Sequence, residues 1–177
     1  FWSNQLTHDD YFAVHTDGTT PNAPSSWTQA IAGEGGKLAD DHFNMKLAAD
    51  GRLFVAMKTS YNVSGAVLVG LLVRSPAGVW SPLTRVTTFE QTPTDATRPL
   101  CVLDEVNRLV HVFYSQDQSS IDYKTSSMDH IAFPSGLGHP FIKSSSSGAI
   151  NNPTGSKQTL ADLRATRPGG LADFRAF

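Results

Sequence analysis

Seven residues of this chain have the types and spacing for ligand chemistry: Asp41, His42, Lys46, Arg98, Tyr114, Asn152 and Lys157. Asp40, Asp41 and His42 open the stretch "ADDHFNMKLAADGRLFVAMKTS". If residues 42–48 form a strand, His42, Asn44 and Lys46 share one face, because side chains alternate with period two. An imidazole, an amide and a cation on one face suit a carboxylated sugar. The competing reading is that Asp41 and His42 merely cap the strand. Arg98 opens a second stretch, "TRPLCVLDEVNRLVHVFYS", 56 residues after His42. The run 151–157, with two amides, hydroxyls and Lys157, either lines a site or simply turns the chain.

Other chemistries are poorly served. Cys101, the only cysteine, sits in an apolar run with no base beside it and reads as a small buried hydrophobe. The six histidines lack a metal-ligand spacing, and no phosphate-cradling glycine loop opens a helix, so no metal and no cofactor are expected. A formal charge of −2 gives no global field for nucleic acid. The longest apolar run, 66–73, falls well short of the roughly 20 residues a membrane helix needs.

The elements that must position these residues are strands. Charged residues are only 17% of the 177, while Gly, Pro, Ser and Thr punctuate short β-branched runs, and helical periodicity is absent through residue 145. Strands are expected at 11–15, 25–32, 42–48, 52–59, 67–74 and 79–86. Asp50-Gly51 is a hairpin signal. A second unit follows at 100–103, 109–115 and 121–125, with a weak outer strand near 131–133. A spacing of 56 places Arg52 over Arg108, Leu53 over Leu109, Met57 over Phe113 and His42 over Arg98.

Four short strands repeated at this spacing imply all-β architecture, a partial β-propeller of four-stranded antiparallel blades. The expected division is a partial blade at 1–38, blades at 39–90 and 95–140, then a polar loop and an irregular or short-helical tail over 146–177. Two to three blades do not close a ring. The chain is therefore a piece of something longer, one of several assembling copies, or an open stack; an open stack would expose a large apolar face, so self-association is expected, copies completing the sheet stack. Trp2, Trp27 and Trp80 read as packing between blades.

The stretches "WSNQ", "DDYFAVHTDG", "LLVRSPAGVWS", "IDYKTSS" and "NNPTGSKQ", with the two quoted above, resemble bacterial BNR-like, sialidase-type β-propeller domains over residues 1–158. The Asp-box of sialidase blades is degenerate here, in "HTDGTTPNAPSSW" and "SPAGVWS". The resemblance implies a secreted protein that recognises a glycan or polysaccharide. Sialidases grip a carboxylate with arginines, and Arg98 alone stands at a fitting strand start. They also need a tyrosine nucleophile, for which Tyr114 and Tyr123 qualify by residue type. The readings are thus a carbohydrate-recognition fragment, a glycoside hydrolase or polysaccharide lyase completed elsewhere, or a structural interaction module.

Overall fold

A computed structural model describes residues 1–20, 22–33, 37–38, 40–92, 96–116, 120–144, 150 and 153. Among the described residues the fold is all-β, with three antiparallel sheets and no closed barrel, consistent with partial propeller-like blades. Sheet 1 orders β1 (Trp2–Asn4), β2 (Asp9–His15) and β3 (Trp27–Gly33). Sheet 2 orders β4 (Phe43–Leu47), β5 (Leu53–Lys58), β6 (Val67–Arg74) and β7 (Thr84–Thr88). Sheet 3 runs from β8 (Thr97–Asp104) through β9 (Leu109–Gln116) and β10 (Ser120–Ser127) to β11 (His139–Lys143).

Sheet 2 lies between the others and buries both faces. Leu53, Val55, Met57 and Leu72 meet Phe1, Phe12 and Ala32 of sheet 1. Phe54, Ala56, Leu71 and Val86 meet Cys101, Leu103, Val110, Val112 and Tyr114 of sheet 3. Gly70 interrupts the apolar run of β6 for a packing reason. A Cβ there would stand 2.6 Å from Leu83 Cδ1.

The repeat is real, but its spacing is not uniform. Met45 pairs with Val55, and Cys101 pairs with Val112. Val55 faces the preceding sheet, as Val112 does. The first strands are therefore offset by 56 residues and the second strands by 57. The extra residue sits in the turn. Ala49-Asp50-Gly51 closes the first hairpin, Gly51 taking φ 83 and Ala48 N–H donating to Arg52 O at 2.8 Å. Residues 105–108 close the second, after Asp104 pairs with Leu109. Met57 thus matches Tyr114, and Phe113 points to the opposite face with Leu100, Val102 and Ile121. The expected superposition of Arg52, Leu53 and Met57 was one residue off, enough to invert every face.

Two further expectations change. No strand forms at 131–133: Phe133 is buried in the core between sheets 2 and 3, and Ser126 Oγ accepts from Ala132 N–H at 2.8 Å. The outer strand is β11, set after the turns at Gly136 and Gly138. Of the three tryptophans only Trp80 packs between sheets, its ring 5.4 Å from Phe12 and 6.0 Å from Phe1. Trp2 and Trp27 remain 41% and 45% exposed. The tail expected over 146–177 lies outside the described residues apart from 150 and 153. No helix among the described residues is long and apolar enough to cross a membrane.

Candidate functional site

The first strands of sheets 2 and 3 run side by side in the same sense. Asn44 Oδ1 accepts from Cys101 N–H at 3.2 Å near their starts, and Glu105 Oε1 accepts from Ala49 N–H at 2.5 Å near their ends. The polar residues that precede β4 and open β8 therefore gather at one end of the stack. The segment before β4 is tied down by backbone bonds. Lys58 N–H donates to His42 O at 2.9 Å, and Ser60 N–H donates to Lys37 O at 2.8 Å.

Those ties bring four side chains together. His42 Nδ1 lies 3.0 Å from Asp40 Oδ1 and 2.5 Å from Asp41 Oδ1. Lys58 Nζ lies 3.5 Å from Asp40 Oδ2. An imidazole that donates through Nδ1 to a carboxylate leaves Nε2 as acceptor when neutral and as a second donor when protonated. The side chain of Asp40 is nearly covered and that of Asp41 is open to solvent. Burial opposes charge on Asp40, but hydrogen bonds from Asp41 and His42 and the Lys58 ammonium outweigh it and hold the carboxyl below the usual range. Its hydrogen bond with Asp40 raises Asp41, with partial burial adding to the effect. The two carboxyls thus divide their roles: Asp40 carries the fixed negative charge and Asp41 holds a proton more readily.

The donor atoms of Asp40, Asp41 and His42 lie within 4.8 Å of one another, a grouping of metal-ligand type that histidine spacing alone did not reveal. Lys58 already takes one oxygen of Asp40, and a lysine ammonium beside a cation site repels the cation. The arrangement is that of a charged hydrogen-bonding patch.

The other expected residues fall in different places. Asn44 and Lys46 do share a face, but that face is covered by sheet 3. Lys46 is 9% exposed, and burial lowers its pKa. Tyr114 is fully buried, its hydroxyl donating to Leu137 O at 2.5 Å, and burial pushes its phenol well above the ordinary value. It cannot reach a surface ligand. Tyr123 lies on the far face of sheet 3, stacked on Phe113 at 5.2 Å. Cys101 is fully buried, its thiol pushed up to about 12 by burial. Asn152 and Lys157 lie outside the described residues.

Arg98, the second residue of β8, is half-buried at φ 51, directly before Pro99. Left-handed backbone is costly for a residue with a Cβ, and a following proline restricts it further. Among the described residues Arg98 makes no ion pair. Of the sequence-derived residues Asp41 and His42 belong to the cluster, Lys58 is the member missed, and Arg98 stands apart near the start of β8, the neighbouring first strand. The signal of Lys58 was present, as the charged residue closing the second strand. Comparison of the sequence with family models and with curated proteins finds no match to either.

Proposed function

We propose that this chain is a carbohydrate-recognition module that binds an acidic glycan at the end of the stack formed by Asp41, His42, Lys58 and Arg98. The observation that carries the reading is the pre-set charge pattern: a partly exposed imidazole fixed by two carboxylates, beside a lysine, at the end where Arg98 stands without an ion-pair partner among the described residues. A guanidinium can grip a carboxylate bidentately, while the imidazole and Asp41 can hydrogen-bond to sugar hydroxyls. Recognition is favoured over hydrolysis because Tyr114 is sealed in the core and Tyr123 lies on the far face of sheet 3, stacked on Phe113. An extracellular setting, where such polysaccharides are met, belongs to the same proposal, as does the kinship with BNR-like propellers.

The test is retention on polygalacturonate and on sialylated glycans at low and moderate salt. Arg98→Ala and His42→Ala should each weaken binding roughly tenfold, the loss of one charge-assisted hydrogen bond. Unchanged retention in both variants would sink the proposal. Light scattering on the same samples reads self-association, the remaining expectation.

A further inference from the structure

The outer face of sheet 1, the one turned away from sheet 2, carries a row of aromatic rings. Trp2 pairs directly with Tyr11 across β1 and β2, and His15 pairs directly with Trp27 across β2 and β3. Phe12 points the other way, into the core with Trp80, so alternation puts Tyr11, Ala13 and His15 outward. Trp2 and Tyr11 are stacked at 5.5 Å between centroids and 14° between planes. His15 and Trp27 are 4.9 Å apart and tilted by 55°. Four residues of strand separate Tyr11 from His15, about 13 Å. On this face Ala13 of β2 stands between the two aromatic pairs, with Gln29 of β3 as its cross-strand partner.

We infer that this face is a second binding site, a stacking platform for a neutral polysaccharide chain. Charge decides the occupant. Residues 1–33 contain no lysine and no arginine, while Asp9 and Asp17 add negative charge to this part of the chain. A polyanion, whether nucleic acid or a uronate, meets no cation here. Sugar rings without charge present apolar C–H faces to indole and phenol rings and hydroxyls to the polar groups at their edges. Those edges are supplied by the Tyr11 hydroxyl, 3.3 Å from Asp9 Oδ2, and by the His15 ring, 3.2 Å from Thr19 Oγ1. A further sheet fits less well. Sheet 2 offers its neighbour Val55, Met57 and Leu72, whereas this face would force an imidazole, a phenol and an indole N–H out of water. The site is distinct from the charged patch at His42 and stands without it.

Native affinity electrophoresis in gels containing a soluble β-glucan, a xylan or a galactomannan tests it directly on the full chain. At least one should retard the protein. Trp2→Ala and Trp27→Ala should each weaken that retardation roughly tenfold. His42→Ala should leave it unchanged, and the tryptophan variants should keep any retention on polygalacturonate. Both tryptophans are half exposed, and unaltered thermal unfolding confirms that the variants fold. Absence of retardation by all three polysaccharides, or retardation indifferent to both substitutions, overturns the platform. So does a dimer in solution that either tryptophan variant turns into monomer, since a second copy would then own the face.

Discussion

Asp10 is the most informative single residue for stability. It lies on the inner face of β2, two residues from Phe12, and is 1% exposed. Among the described residues neither carboxyl oxygen has a hydrogen-bond partner. Burial, with the Asp9 charge adding to it, raises its pKa from 3.8 to about 7. A carboxyl that binds its proton more tightly in the folded state contributes stability fully present below pH 3.8. That contribution is lost as pH rises toward 7. At about 1.36 kcal/mol per pH unit the full loss is roughly 4 kcal/mol. Relaxation around the buried carboxylate reduces the expected effect to roughly 2 kcal/mol.

Asp10→Asn keeps the shape and cannot ionise. Urea unfolding, followed by tryptophan fluorescence, should give similar stabilities for the two proteins near pH 4.5. Asp10→Asn should be the more stable by about 2 kcal/mol at pH 8. Other groups titrate in the same window. Burial lowers His111, which makes stability rise with pH, and raises Asp122, which makes it fall. Both are common to the two proteins and drop out of the difference. Parallel pH profiles from 4.5 to 8 would refute the reasoning, because they would mean that Asp10 ionises at its ordinary value and is neither buried nor unpartnered.

Two further outcomes are expected. Lys124 is fully buried, donates from Nζ to Val86 O at 2.8 Å, and is pushed down to about 8 by burial, with Arg85 adding to it. A lysine lowered on folding costs stability below its folded pKa, and the cost disappears as pH rises from about 8 to 10.5. Wild type should therefore gain on Lys124→Met across that range in urea unfolding, and a constant difference would count against a charged buried amine. Gly138 sits at φ 91, where a Cβ would stand 2.7 Å from Tyr123 O and 2.9 Å from Tyr114 Oη. Gly138→Ala should cost about 2–3 kcal/mol and loosen β11, read as faster amide exchange at 139–143. Unchanged exchange there would place the turn elsewhere.

Most of the strands were legible because their signals are local, but the outer strand β11 was expected at 131–133 rather than 139–143 and β7 at 79–86 rather than 84–88. Asp50-Gly51 announces a hairpin, and β-branched runs bounded by turn residues announce strands. The 56-residue echo paired the two first strands but not His42 with Arg98: His42 opposes Lys58, whose counterpart Ser115 pairs with Thr97, and Arg98 falls in the irregularity between Thr97 and Leu100. What the echo could not carry was the face. One residue added between Leu103 and Leu109 leaves the lettering of the second strand almost unchanged and inverts its sides, so Phe113 replaced Tyr114 as the apparent partner of Met57. Burial of Lys46 failed for a related reason. Alternation placed it beside Asn44, but only the packing of sheet 3 determines that this shared face is covered. The exposure of Trp2 and Trp27 was equally hidden, since an aromatic residue in a strand is lettered alike whether or not a sheet covers it.

The two sheet interfaces are held by different means, and this bears on which end of the molecule is adaptable. Between sheets 2 and 3, polar groups cross the boundary with partners. Lys124 reaches Val86 O, Asn44 reaches Cys101 N–H, and Arg52 and Arg108 share Asp50 and Asp129, lowering Asp50 to about 2 through Arg52 above all. Hydrogen bonds with matched partners fix registry in a way that apolar contact does not. Between sheets 1 and 2 the observed contacts are mainly aromatic and aliphatic, with Arg74 set 5.0 Å over the Phe12 ring, and the inner-face carboxyl of Asp10 has no hydrogen-bond partner among the described residues. The described contact of sheet 1 with sheet 2 is thus mostly apolar area, and sheet 1 carries a group that resists docking as pH rises. The charged patch at His42 is built on the pair of sheets joined by directed bonds. The aromatic face is built on the sheet whose attachment is the more easily changed.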